Sequence, residues 1–282
     1  MKNNERKGTL LLITIDCLII AIIAVVNLFP FVWALMTSFK TESDVFSYPI
    51  KFFNFVPVLE NYVHVLKTRF PASWLRSIAY ALSAIVICLA LSSMAGYAFA
   101  RYKNRLMSFL FTLIVFGIPL AVGSSALIVP NYIIFAKFRI INKFFTLPLI
   151  YTVYNLPMAI WIALGGIRSI PIEIEEAAII DGCKQSYIIF NIIPKLNKPA
   201  LASAALFVFI GAWNEFIVSA VLITSQQFRS IQVAIYEFLG YYGRQWGPLM
   251  ASTILGFIPI IVLFSFLGRQ LISGLTAGAT KG

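Results

Sequence analysis

Acidic residues are scarce in this chain, eleven in 282 residues, so the places where they gather are where chemistry is to be sought. Four of them, Glu173, Glu175, Glu176 and Asp181, fall in one stretch, "PIEIEEAAIIDGCKQSYIIFNIIPKLNKPAL", residues 171–201, with three prolines and a lone Gly182. Carboxylates so placed either cap the first turn of a helix or pair with cations on a partner. A fifth acid, Glu215 in "AWNEF", lies inside an apolar run beside Trp213 and Asn214. An ionisable group there is costly unless it faces a cavity or a partner. The aromatic face and the amide next to it suit the C–H side and the hydroxyls of a sugar ring. They suit equally well hydrogen bonds that hold one helix to another, and both roles stay open. Tyr154 and Asn155, just ahead of Pro157, form a second pair with the same two roles.

Nothing else in the sequence supports catalysis. His64 is the only histidine and cannot build a metal site without further ligands of suitable spacing. The GxxxxGK[ST] phosphate cradle is absent, so any ATP must be bound by another chain, and no cofactor is expected. Three cysteines are an odd number; Cys17 and Cys88 fall in apolar runs and Cys183 in the polar stretch, a pattern of small hydrophobes and not of disulfides. The net charge of +11 comes from lysines and arginines scattered between apolar runs, with no basic stripe for nucleic acid.

The elements that hold these residues follow from composition. With 60% hydrophobic and 12% charged residues and a mean hydropathy of +0.88, the chain lies far from the soluble norm of roughly 25% charged residues and reads as an all-α integral membrane protein. A helix crossing about 30 Å of hydrocarbon needs about 20 apolar residues. Six runs qualify: about Leu10–Thr37, Leu75–Ala100, Leu106–Val129, Phe145–Leu164, Ala200–Ile223 and Leu249–Leu267. Pro119, Pro157 and Pro259 lie within them and predict bends. The short connection "RYKNR", Arg101 to Arg105, carries three positive charges, which by the positive-inside rule places it in the cytoplasm. Counting spans from it puts residues 1–9, the 168–199 segment and the 269–282 tail inside, with twelve basic residues inside against ten outside. The expected organisation is a cytoplasmic amino terminus, a six-span domain over 10–268 and a cytoplasmic carboxyl tail.

The polar stretch then becomes a cytoplasmic hairpin. Pro171 opens a helix whose first turn holds Glu173, Glu175 and Glu176, and Gly182 supplies a left-handed stop. A second short helix is expected from Ser186 to Ile193, closed by Pro194 and Pro199. The small apolar patch of Ala177, Ala178, Ile179 and Ile180 has no evident partner within the chain and predicts a groove on another protein.

At these residues a family resemblance becomes visible. "EEAAIIDG" with a downstream "IIP" resembles the EAA loop of permease subunits of binding-protein-dependent ABC importers. "NLPMAIWIALGGIRSIPIEIEEAAIIDG", "GAWNEFIVSAVLIT" (211–224) and the tail "LISGLTAGATKG" (271–282) resemble the second, maltose-type permease of the carbohydrate branch. The resemblance covers nearly the whole chain. It implies a six-helix importer permease fold and a sugar or oligosaccharide as cargo. It also implies a heterodimer with a second permease, two ATP-binding subunits and an extracytoplasmic solute-binding protein, in a bacterial-type inner membrane with both termini cytoplasmic. It carries Glu176, Ala177, Ala178, Asp181 and Gly182 over as ATPase-coupling residues. The glycine-rich tail, with Gly274, Thr276 and Gly278, reads from composition as a disordered end; the resemblance implies instead that it reaches the ATPase interface. One departure is that eleven residues, Cys183 to Ile193, separate Gly182 from Pro194, where the family pattern has about twelve, and Ile replaces the usual Leu before that proline. One residue fewer rotates a helix face by about 100°. The long connections Lys40–Arg76 and Thr224–Trp246 are the expected docking segments for a binding protein. An ABC permease for another solute, such as a polyamine or peptide, a secondary transporter and a membrane scaffold are the competing readings; no internal repeat supports the second of these.

Overall fold

The computed structural model describes residues 2–122, 127–240 and 245–279, with side chains for 13–119, 127–240 and 245–268. Most of the described residues are helical, with no strand among them. The order is α1 (Lys2–Ser38), α2 (Glu42–Val45), α3 (Glu60–Lys67), α4 (Phe70–Arg101), α5 (Arg105–Val122), α6 (Ile128–Lys137) and α7 (Thr146–Arg168). Then come α8 (Glu173–Ile180), α9 (Gln185–Tyr187), a π-helical turn (Ile188–Ile192), α10 (Ile193–Leu196), α11 (Lys198–Asn214), α12 (Ile217–Leu222), α13 (Ile231–Tyr236) and α14 (Trp246–Ala279). Four helices among the described residues are long and apolar enough to cross a membrane: Ile13–Ser38, Phe70–Arg101, Thr146–Arg168 and Trp246–Gly268. The pair Gln185–Leu196 and Lys198–Asn214, bent by 79°, makes a fifth if taken as one span.

Two of the six expected runs differ from single spans. Leu106–Val129 is split between α5 and α6, and the residues between them lie outside the described set. Ala200–Ile223 is split into α11 and α12 at Glu215 and Phe216. Apolarity is blind to a backbone break when the breaking residues are few, as at Glu215 and Phe216.

The chain forms two compact units, residues 1–68 with 235–255, and residues 69–234 with 256–282. In the first, the chain leaving α1 is tied by its polar side chains. Asn61 Nδ2 donates to the carbonyls of Ser38 and Lys40, each at 2.9 Å, and a Cβ on Gly247 would lie 2.5 Å from that amide. Lys40 Nζ, buried, donates to the Lys51 carbonyl and lies over the rings of Trp33 (4.7 Å) and Phe55 (5.1 Å). Lys51 pairs with Asp44 at 2.6 Å. His64 packs edge-on to Phe238, 6.3 Å between centroids, which is an ordinary packing role.

The second unit is built on α4, α7 and α11. Helix α4 buries a row of small residues at every third or fourth position: Ser73, Ser77, Ala81, Ala84, Cys88, Ser92, Gly96 and Ala100. Small side chains at that period let backbones approach, as membrane packing requires. A Cβ on Gly96 would stand 3.2 Å from the Leu164 nitrogen of α7. Cys88 donates to the Thr152 carbonyl at 3.5 Å, and all three cysteines are free thiols. Helices α7 and α11 meet through two asparagines set against glycines. Asn197 Nδ2 donates to the Ala163 carbonyl (3.1 Å), and its Oδ1 sits where a Gly166 Cβ would be only 1.9 Å away. Asn155 Oδ1 stands 2.2 Å from where a Cβ of Gly211 would be. At the first turns of α4 the 225–231 segment is held down, with Tyr80 donating to the Phe228 carbonyl (3.1 Å) and the Ile231 amide to Ser77 Oγ (2.7 Å).

Candidate functional site

The polar stretch folds as a helical hairpin whose first limb is α8. Its acids occupy the first turn, where four amide groups have no helical acceptor and the dipole is positive. The limb ends in a Schellman cap. Cys183 N donates to Ala178 O and Gly182 N to Ile179 O, both at 2.9 Å, with Gly182 at φ 83°. Nothing lies within 4 Å of a Cβ built on Gly182, so the left-handed backbone alone demands the glycine.

The structure divides the five apolar and three acidic residues of α8 differently from the sequence reading. Glu175, not Glu176, is turned inward, 5% exposed, with Arg101 Nη2 at 2.6 Å and Nε at 2.7 Å from its Oε1 and the Tyr97 hydroxyl donating to its Oε2 at 2.8 Å. Ala178, expected on a free patch, is buried in a core with Tyr97, Ala100, Leu164, Ile167, Ile188 and Ile193. Ala178 alone of the patch therefore has a partner within the chain, at the ends of α4 and α7. Glu176, Ala177, Asp181 and Gly182 stay exposed, as do Ile179 (56%) and Ile180 (85%). One step along a helix turns the side chain by about 100°, which separates Glu175 from Glu176 and Ala178 from Ala177.

The second limb begins at Gln185 and runs through the π turn to Leu196, three residues past the expected stop, with Pro194 in the first turn of α10 where its missing N–H is tolerated. The limb opens a shallow groove lined by Cys183, Lys184, Ser186, Tyr187, Phe190 and Asn191. Tyr187 (50%) and Phe190 (59%) are exposed. Buried Asn197 then turns the chain into α11.

Around the break between α11 and α12 lies a cavity of about 690 Å³, within the range of small-ligand sites. Tyr154, Asn155, Asn214 and Glu215 all line it, with Tyr151 and an apolar wall that includes Met158, Phe207 and Ile210. Both carboxylate oxygens of Glu215 accept backbone amides, Oε1 from Val218 (3.0 Å) and Oε2 from Ser219 (3.1 Å), which closes the start of α12 and explains the helix break. The Tyr154 hydroxyl accepts from Asn131 Nδ2 at 2.5 Å. Tyr151, 2% exposed, has a hydroxyl without a hydrogen bond of good geometry among the described residues. Ser219 lies close to it but gives its own proton to Ser230 Oγ at 2.7 Å.

Trp213 does not line this cavity. It is 2% exposed, stacked on Phe209 at 5.3 Å, and its Nε1 donates to the Gly256 carbonyl of α14 at 3.2 Å. Its sequence neighbour Asn214 points the other way because adjacent helical side chains diverge. Sequence reading missed Tyr151 and Arg101. The signal for Tyr151 was its spacing of three and four from Tyr154 and Asn155, one helix face; Arg101 stood in "RYKNR" and was read for topology alone. Helix α14 carries the backbone through Gly274, Thr276 and Gly278 to Ala279, where composition alone reads a disordered end. Those side chains, and residues 280–282, lie outside the described residues.

The comparisons with known proteins agree with this architecture. The trehalose/maltose transport system permease protein MalG of Thermococcus litoralis is 34% identical over 267 residues, 93% of this chain and 94% of that one. The arabinooligosaccharides transport system permease protein AraQ of Halalkalibacterium halodurans is 31% identical over 281 residues, 96% of each. Among solved structures, a chain of a bacterial ABC transporter involved in import of the acidic polysaccharide alginate superposes with a TM-score of 0.75, covering 91% of this chain and 95% of that one, at 19% identity, which supports the fold. The family profile described as binding-protein-dependent transport system inner membrane component matches residues 89–276, which take in α7, the hairpin, the cavity and α12, and the chain belongs to that family.

Proposed function

We propose that this chain is one of two unlike permeases of an ATP-driven importer that takes up a sugar or oligosaccharide from a solute-binding protein. The observation that carries this reading is full-length similarity to permeases named for sugars, more than 90% of both chains in each case. Six spans are counted as α1, α4, α5, α7, α11 with α12, and α14, in an inner membrane with both termini cytoplasmic. The hairpin then stands in the cytoplasm. Its exposed Glu176, Ala177, Asp181 and Gly182, with the Tyr187 and Phe190 groove, form the docking face for one of two partner ATP-binding subunits, with Ala178 as its inner support. The tail residues Gly274, Thr276 and Gly278 are a second contact with those subunits, and the Lys40–Arg76 and Thr224–Trp246 connections serve the binding protein. ATPase closure pulls on the hairpin and, through it, on the helices that line the path.

The cavity is the segment of the path this subunit contributes. Its hydroxyl, amide and carboxylate groups beside apolar walls match a polyol, whose ring carries hydroxyls at the edge and C–H groups on its faces. A carboxylate and two amides in a spanning region do not face lipid. The test is co-purification from native membranes in mild detergent with maltose, diacetylchitobiose and arabinooligosaccharides supplied in turn. Recovery of an ATPase, a second permease and a binding protein that titrates with one of these sugars is the expected result. Glu176→Lys, introduced into the same complex, leaves the chain in the membrane and abolishes uptake. A chain recovered alone, or with unrelated proteins, overturns the reading.

A further inference from the structure

Tyr97, Arg101, Glu175 and Gln185 belong neither to the docking face nor to the cavity. We infer that they form a clamp that fastens the hairpin to α4 and makes α4 a rigid link from the hairpin to the 225–231 segment at the other end of that helix. The inference rests on the importer reading only for what moves the hairpin and what senses the far end.

The clamp engages both carboxylate oxygens of Glu175. Arg101 takes Oε1 through two nitrogens at 2.7 and 2.6 Å, and Tyr97 takes Oε2 at 2.8 Å. Arg101 Nη2 also donates to the Ile170 carbonyl (3.1 Å), in the connection between α7 and α8, and Gln185 Nε2 from the second limb donates to the Tyr97 hydroxyl at 3.2 Å. Both limbs and the connection leading into them are therefore held by two residues of α4. The side chains of Arg101 and Glu175 are only 14% and 7% exposed, which protects the pair from screening by salt. Ala178, Ile188 and Ile193 pack on Tyr97 and Ala100 beneath it.

Helix α4 is the member of this unit suited to carry the motion onward. It runs 32 residues without an internal proline, its single Pro71 lying in the first turn. By the helical rise that is about 48 Å. Helix α7 contains Pro157, and α11 is broken at Glu215. At the far end of α4, Ser77 and Tyr80 hold the backbone of Ile231 and Phe228, and Arg76 reaches the Gln227 carbonyl while Arg69 pairs with Gln226 Oε1 at 2.6 Å. A displacement at Arg101 thus reaches residues 226–231 with no hinge between, a chain of packed and hydrogen-bonded groups of the kind that transmits coupling.

The experiment uses the complete importer in lipid vesicles and measures ATP hydrolysis with and without sugar-loaded binding protein. Arg101→Ala and Glu175→Gln are expected to retain the co-purified ATPase and to lose stimulation by the binding protein at least tenfold. Arg101→Lys recovers part of it, and the reversed pair Arg101→Glu with Glu175→Arg recovers most. Stimulation equal to wild type in both single variants overturns the clamp, as does a reversed pair no better than either single variant while the ATPase still co-purifies. If the wild-type complex is stimulated by no binding protein, the importer reading has failed instead. The clamp is then read from the mobility of a spin label at position 173, freed in Arg101→Ala if the clamp exists and unchanged if it does not.

Discussion

Gly166→Ala tests the seam between α7 and α11. The new Cβ would stand 1.9 Å from Asn197 Oδ1 and 2.5 Å from the Ala200 Cβ. Ala200 has no rotamer by which to yield, so either the helices part by about 1 Å or the Asn197 amide leaves its place. Parting the helices is overpacking, which costs about 1–3 kcal/mol. Displacing Asn197 strands the buried amide and the Ala163 carbonyl it serves, about 1–3 kcal/mol more. Either route alone costs roughly 1–3 kcal/mol and the two together roughly 2–6 kcal/mol, which for a chain of this size lowers Tm by on the order of 10 °C. Gly165→Ala is the matched control: no atom lies within 4 Å of its Cβ, and alanine in a helix interior gains about 0.5–1 kcal/mol over glycine. The assay is thermal unfolding in detergent, followed by the fraction remaining monodisperse. Equal melting of the two variants would refute the close-approach argument, since the substitutions differ in nothing but their surroundings.

Three further outcomes are expected. Gly182→Ala lowers stability by about 1–2 kcal/mol through its left-handed backbone while Gly182→Asn, which tolerates that conformation, costs less; equal losses would place the cause elsewhere. Trp213→Phe lowers stability by roughly 1 kcal/mol through the lost bond to Gly256 and leaves uptake unchanged, whereas Asn214→Ala alters uptake by roughly fivefold at unchanged protein level, read with radiolabelled sugar. The hydrogen bond from Lys51, then that from Thr41 and the charges of Lys51 and Lys40, hold the Asp44 carboxyl below its ordinary value of 3.8. Its contribution is therefore full above pH 3.8 and disappears as pH falls through the lower folded value. The Tm difference between wild type and Asp44→Asn should shrink only below about pH 4, and a difference constant from pH 5 to 3 would contradict it.

What could be read from the sequence was whatever depends on apolarity and on residues with one conformational use. The membrane class, the hairpin, the stop at Gly182 and four residues of the cavity wall, Tyr154, Asn155, Asn214 and Glu215, came from such signals. The inward turn of Glu175 did not, because two adjacent acids look alike until a neighbour from residue 101 selects one of them. Trp213 was misplaced for a related reason. An indole serves a sugar and a helix seam equally well, and only the Gly256 carbonyl opposite it decides. The break at Glu215 escaped because a hydropathy window averages over the few residues that end a helix.

The row of small buried residues on α4 gives that helix two sides that obey opposite constraints. From Ser73 to Ala100 the inner side admits serine, alanine, cysteine or glycine with little regard for polarity, since a short hydroxyl or thiol finds a carbonyl within reach, Ser92 that of Leu89 at 3.3 Å and Cys88 that of Thr152 at 3.5 Å. Volume is what it forbids. The outer side, with Leu75, Leu82, Val86, Leu91 and Met94 exposed, accepts any volume and forbids charge. A substitution on α4 is therefore judged by size or by polarity according to its phase around the helix, and two neighbouring residues can fail for reasons that have nothing in common.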